Sequence, residues 1–202
     1  MAHPLGSWRI VAVAGLIVLT SCTPTVQPDI PPHPKVTPPA PTLPHIHVPA
    51  GTFVRGCGSA VDGALGPLTK WSKSSIIVGS FALVWIRQAA RVPASRFREP
   101  QAVKILALVK AGHPTLVTVP EQERRHVSLL YDPNATVGNR YRVQDGEESV
   151  EFEPCPGGAS WAAATQFNGG VIVAGGRCVT LTVTQANESR RIRSAFGKRT
   201  CA

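Results

Sequence analysis

Apolar positions across residues 51–202 fall in short runs rich in β-branched side chains and divided by turn residues. This is the pattern of an all-β sandwich or barrel. Ile76 to Ile86 and Val103 to Val109 are almost wholly apolar, as in central strands covered on both faces. The first run could be a buried helix, but Gly79 and the β-branched residues favour a strand. Pro114 to Val119 and His126 to Tyr131 predict two more strands, the second with Val127, Leu129 and Tyr131 on one face, followed by an Asp132-Pro133-Asn134 turn.

Tyr141 and Val143 alternate with polar neighbours, and after Asp145-Gly146 so do Val150 and Phe152, which predicts a hairpin. A second hairpin is expected between Val171 to Ala174 and Cys178 to Thr184, where Val179, Leu181 and Val183 face in and Thr180, Thr182 and Thr184 face out. Ile192 and Phe196 complete a third antiparallel pair. The expected domain, residues 51–202, is therefore an antiparallel β-sandwich of about eight or nine strands with little helix.

The N-terminal pattern differs. Ile10 to Thr20, preceded by Arg9, has the length of a signal-peptide apolar region, far short of the roughly twenty residues a bilayer span needs. It ends in Leu19-Thr20-Ser21-Cys22, which resembles the bacterial lipobox. The resemblance implies that residues 1–21 are a lipoprotein signal peptide and that Cys22 becomes the lipid-bearing first residue. Two acyl chains on one residue would anchor the chain stably to the membrane. Residues 23–50 then hold ten prolines in 28 positions. Proline fixes φ and removes backbone donors, so residues 22–50 are expected to form an extended stalk reaching on the order of 80 Å at about 3.1 Å per residue. His33, His45 and His47 lie in this stalk without a scaffold or nearby carboxylate, so no metal site is expected there.

Charge is sparse and basic. The formal net charge of +9 becomes +8 once Arg9 is removed with the signal, leaving 20 basic against 12 acidic residues. Such a balance outside the cytoplasm favours anionic envelope surfaces; nucleic acid is not an expected partner. With Cys22 assigned to lipid, Cys57, Cys155, Cys178 and Cys201 form an even set for disulfides in an oxidising compartment. Cys155 and Cys178 extend solvent-facing rows, which argues against a bridge buried between sheets and favours staples at strand ends, loops and termini. Three connectivities are possible. The expected pairs are Cys155 with Cys178 and Cys57 with Cys201, the second closing the domain where it meets the stalk.

The C-terminal third, Phe167-Asn168-Gly169-Gly170-Val171, Cys178-Val179-Thr180-Leu181-Thr182-Val183, Phe196-Gly197 and Cys201, resembles a group of exported actinobacterial proteins of unknown function. Lys104 to Leu108, Gly112 to Val119 and Leu129 to Asp132 extend the likeness. It implies no activity and transfers no catalytic residues.

Arg190, Arg191, Arg193, Lys198 and Arg199 put five positive charges near the C-terminus. They are candidates for a polyanion contact, or for the charged face of an edge strand, where Glu151 and Glu153 could pair with them across the sheet. Trp161 and Phe167 flank Ala162 to Ala164 and are candidates for stacking on sugar rings, with burial against the sandwich as the alternative. Trp71, between Lys70 and Lys73, is read the same way. There is no Gly-x-Ser-x-Gly, no His-Glu-x-x-His and no Gly-rich phosphate loop; the domain's histidines, His113 and His126, sit at strand ends. No enzyme, cofactor or metal is expected. The expectation is a lipid-anchored extracytoplasmic module that binds or assembles another envelope protein. A wall-polymer or glycan binder is the first alternative and an envelope hydrolase the second.

Overall fold

The computed structural model describes residues 46–61, 65, 68–135, 140–157, 160–186 and 188–201. Cys22, the signal segment and the stalk up to residue 45 lie outside the described residues. Among those described, no helix is long and apolar enough to cross a membrane.

The fold is sandwich-like and all-β, with twelve strands among the described residues, more than the eight or nine expected. Two apolar runs each divide in two, Phe53–Arg55 and Thr165–Phe167 form strands that were not expected, and the strand expected at Tyr141 is absent. The strands are β1 (Phe53–Arg55), β2 (Ile76–Val78), β3 (Phe81–Val84), β4 (Gln101–Lys104), β5 (Leu106–Val109) and β6 (Thr115–Thr118). They continue with β7 (Val127–Leu130), β8 (Ser149–Phe152), β9 (Thr165–Phe167), β10 (Gly170–Val173), β11 (Arg177–Gln185) and β12 (Glu188–Phe196). One sheet runs β1-β8-β6-β11-β12, a second β4-β10-β7 and a third β2-β3-β5-β9. All pairings are antiparallel except β1 on β8.

Alternation sets the faces. Val179, Leu181 and Val183 of β11 are buried while the intervening threonines are partly exposed, and Val150 and Phe152 of β8 are fully buried. All three sheets feed one core, which includes Phe81, Leu83, Leu129, Phe152, Phe167 and Leu181. Tyr131 meets Phe152 edge to face with ring centroids 4.9 Å apart. Such a pair adds about 0.5–1.5 kcal/mol to the area it buries. β3 and β5 are buried on both faces because Ala82, Val84, Leu106 and Leu108 form a second cluster under Leu68, Trp71, Trp85 and Trp161.

The run from Ile76 to Ile86 is a hairpin rather than one strand: Gly79, at φ 53°, turns the chain so that Val78 pairs with Phe81. Trp85, at φ 72°, then ends β3 and starts a 3-10 helix, Ile86–Arg91. The run from Val103 to Val109 also divides, because its partner bends with it. β4 pairs with β10 in the second sheet, and β5 with β9 in the third. At the corner between them the Ile105 amide donates to the Gly169 carbonyl at 3.0 Å. A Cβ at Gly169 would overlap the Tyr131 ring, and one at Gly170 would overlap the Val103 carbonyl. The Tyr131 hydroxyl, fully buried, donates to the Ile105 carbonyl at 3.0 Å.

Two expected hairpins are not formed. Val143–Asp145 is a 3-10 turn, because the Asp145 carboxylate accepts from the Arg142 amide at 2.8 Å and Nε at 3.1 Å. Local side-chain bonds of this kind compete with strand pairing. β10 lies in a different sheet from β11, so Val171 to Ala174 does not pair with Cys178 to Thr184. The third pair is formed, with Arg177 to Gln185 opposite Phe196 to Glu188.

The disulfides correct the expected pairing: Cys57 joins Cys155, and Cys178 joins Cys201. Strand β6 lies between β8 and β11, which separates the ends carrying Cys155 and Cys178. Arg55 lies opposite Phe152 on parallel strands, so β1 and β8 leave the sheet together and bring Cys57 to Cys155. Cys178 lies opposite Ala195, and a reversal at Gly197, φ 65°, returns Cys201 to it. As expected, both bridges staple strand ends instead of joining sheets through the core.

Gly169→Ala should cost about 1–3 kcal/mol or more through overpacking against Tyr131. Gly58→Ala, where an added Cβ meets nothing within 4 Å, should stay within about 0.5 kcal/mol of the parent. Urea midpoints measure both; equal losses would remove the corner from the account.

Candidate functional site

Residue parity and the chain reversal at Gly197 separate the five C-terminal cations. Arg191 and Arg193 point to the outer face of edge strand β12, opposite Thr182 and Thr180. Arg190 is held by Glu188, Nε to Oε1, at 2.6 Å. Lys198 and Arg199 lie on the exposed tail that the Cys178–Cys201 bridge pins down.

Two of the five, Arg193 and Arg199, meet a cation distant in sequence. The 3-10 helix Ile86–Arg91 packs on β12: the Gly197 amide donates to the Ala89 carbonyl at 3.0 Å, and the Ser194 hydroxyl to the Ile86 carbonyl at 3.4 Å. Between helix, strand and tail lies a cavity of ≈ 330 Å³ lined in part by Arg87, Arg193, Arg199, Ser194 and Thr200. Arg87 Nε donates to the Ser75 carbonyl at 2.9 Å, which fixes the direction of its guanidinium. A smaller hollow of ≈ 80 Å³ shares Arg87 and adds Lys73 and Arg91. No Asp or Glu lines either cavity among the described residues. Three guanidiniums and two hydroxyls around one cavity suit an anion with several oxygens, because the guanidinium fork matches carboxylate and phosphate geometry.

Arg87, Arg91 and Lys73 were not candidates from sequence. Their only signal was spacing within Lys73 to Arg91, a segment free of acids. Glu151 and Glu153 do not face the arginines. Glu151 pairs with Leu116, Leu116 with Thr184 and Thr184 with Ser189, so two strands separate β8 from β12.

Phe167 is corrected as a stacking candidate. It is fully buried, 5.4 Å from Phe152 between ring centroids, and the Arg55 guanidinium lies 5.5 Å from its ring. Trp161 packs against the second cluster with Lys110 Nζ 4.6 Å from its ring centre, and Trp71 meets Trp85 edge to face at 5.7 Å. His113 and His126 are exposed. Among the described residues no three His, Cys, Asp or Glu side chains group closely enough to hold a metal ion. No protein-family model, curated protein or solved structure matches the chain.

The acids respond to their surroundings differently. The Arg142 backbone amide lowers the Asp145 carboxyl, with help from its side chain. Burial, then the Glu153 charge, raises Glu151; burial, then the Asp132 charge, raises Glu147. The folded chain thus keeps protons on Glu147 and Glu151 where the unfolded chain has lost them, and their effect is a loss of stability as pH rises through that window. Glu151→Gln should flatten the fall between about pH 4 and 6, measured by urea unfolding; an unchanged slope would contradict it. Cys201→Ser should release the tail from β11. By loop-closure entropy it should cost about 3 kcal/mol, and it should open the Arg199 side of the cavity to hydrogen exchange.

Proposed function

We propose that the chain is a lipid-anchored extracytoplasmic lipoprotein whose β-domain is a non-catalytic module that holds an anionic polymer or acidic surface of the cell envelope. The observation that carries the reading is the convergence of Arg87 and Arg199, with Arg193 beside them, on one cavity with no Asp or Glu among its described lining residues. An edge strand protected only by charge needs cations along its outer face. It does not need a cation delivered by a helix from a different part of the chain. Lys73 and Arg91 extend the positive surface beyond the cavity.

Membrane attachment rests on the Leu19-Thr20-Ser21-Cys22 sequence after an apolar run of signal length. The two disulfides accord with an oxidising location. Attachment and binding divide the work: the acyl chains fix the address, and the basic cavity supplies the contact.

Arg87→Gln/Arg193→Gln/Arg199→Gln should weaken binding to a polyphosphate or polyuronate probe by about ten-fold, since each exposed charge contributes roughly 0.2–1 kcal/mol. Raising salt from about 0.05 to 0.5 M should weaken the parent similarly, because screening shortens to a few Å. Titration calorimetry reads both, and salt-independent binding would remove the electrostatic basis. For the anchor, mass analysis of the mature protein should find a diacylglyceryl group on Cys22, and Cys22→Ala should move the protein out of the membrane fraction.

A further inference from the structure

A second pair of hollows lies elsewhere on the domain and shares one aromatic residue. The first, ≈ 340 Å³, forms beside the corner at Gly169 and Gly170 and is lined by Val103, Leu130 and Pro133 with Lys104, Asp132 and Asn168. The second, ≈ 420 Å³, is lined by Arg96, Arg98 and Arg140 with Glu99. Tyr141 lines both. The first hollow lies beside the corner, and the backbone of Gly169 and Gly170 forms part of its wall.

The chemistry is divided between the two sides of Tyr141. On one side are apolar surface, a carboxylate, a carboxamide and an ammonium, groups that together satisfy ring C–H faces and hydroxyls. On the other are three guanidiniums against a single carboxylate, Glu99, which leaves that side net positive. None of Arg96, Arg98 and Arg140 forms an ion pair among the described residues. Asp132 is partly engaged, its Oδ1 accepting from the Asn134 amide at 2.8 Å. Each hollow lies near the lower end of the roughly 300–1,000 Å³ range of small-ligand sites.

We infer that this double hollow binds an acidic saccharide. The sugar ring lies against Tyr141 beside Lys104, Asp132 and Asn168, and the acid group sits among Arg96, Arg98 and Arg140. A plain basic surface would attract any anion and would have no use for Tyr141 or for the first hollow. The site is distinct from the cavity at Arg87, Arg193 and Arg199, with which it shares no lining residue.

Titration of the full chain, followed by NMR or calorimetry, tests the inference with four probes: glucose 1-phosphate, glucuronic acid, glucose and inorganic phosphate. At least one acidic sugar should bind about ten-fold more tightly than glucose and inorganic phosphate, and the better of the two acids identifies phosphate or carboxylate as the preferred group. Tyr141→Ala should lose about ten-fold, and Arg96→Gln/Arg98→Gln should erase the preference for the acid over glucose. The NMR shift changes that acidic sugars cause at Tyr141 should persist in Arg87→Gln/Arg199→Gln, which separates this result from anion binding at the other cavity. Circular dichroism and urea midpoints confirm that the variants are folded. Absence of binding by both acidic sugars at about 20 mM, inorganic phosphate binding as tightly as they do, or indifference to Tyr141→Ala would each overturn the inference.

Discussion

The phenol ring of Tyr131 occupies the space that a side chain at position 169 would need. That contact sits where two antiparallel segments bend together from one sheet into another. The bend lets the second and third sheets share a core with the first, and Tyr131 secures it twice. Its hydroxyl donates to the Ile105 carbonyl at 3.0 Å, and its own carbonyl accepts from Arg55. Arg55 is itself buried, and desolvation lowers its pKa. Burying a cation costs several kcal/mol unless hydrogen bonds offset it. Here the guanidinium also donates to the Ser59 hydroxyl at 2.9 Å and the Ser59 carbonyl at 2.7 Å, which ties the turn after β1 to the corner.

Period-two alternation made the faces of β7, β8 and β11 readable, because one face of each strand meets the core. It also marked β3 and β5 as covered on both sides, which the second cluster explains. What alternation does not carry is the identity of a strand's neighbour. Val171 to Val173 has the same pattern whether it pairs with β11 or with β4 and β7. The same ambiguity hides the disulfide pairing, because solvent-facing parity puts Cys155 and Cys178 on outer rows without naming the strand beside each. The corner itself was hidden because Ile105 is apolar and buried like the residues beside it, so nothing along its own run interrupts the pattern.

The basic surface was half legible. A charge cluster at the end of the chain is visible in any sequence, whereas Arg87 enters the same cavity through the turn at Trp85, which no periodicity announces. Aromatic candidates fared differently. Phe167 alternates with Gln166 as a core strand residue does, and that signal outweighed its place beside a loop. Tyr141 alternates with polar neighbours as a strand residue does, so its position between two hollows follows only from the packing of the 3-10 turn after it.

The bridge between Cys57 and Cys155 also governs how the domain bears mechanical load. Any tension arriving from the N-terminal side first meets β1, a three-residue strand lying alongside β8. Should those few ladder bonds yield, unravelling can proceed no further than Gly56, since the next residue is covalently fastened to the end of β8. A tug transmitted along the chain is thereby handed through Cys155 to β8, the strand next to β1 in the five-stranded sheet.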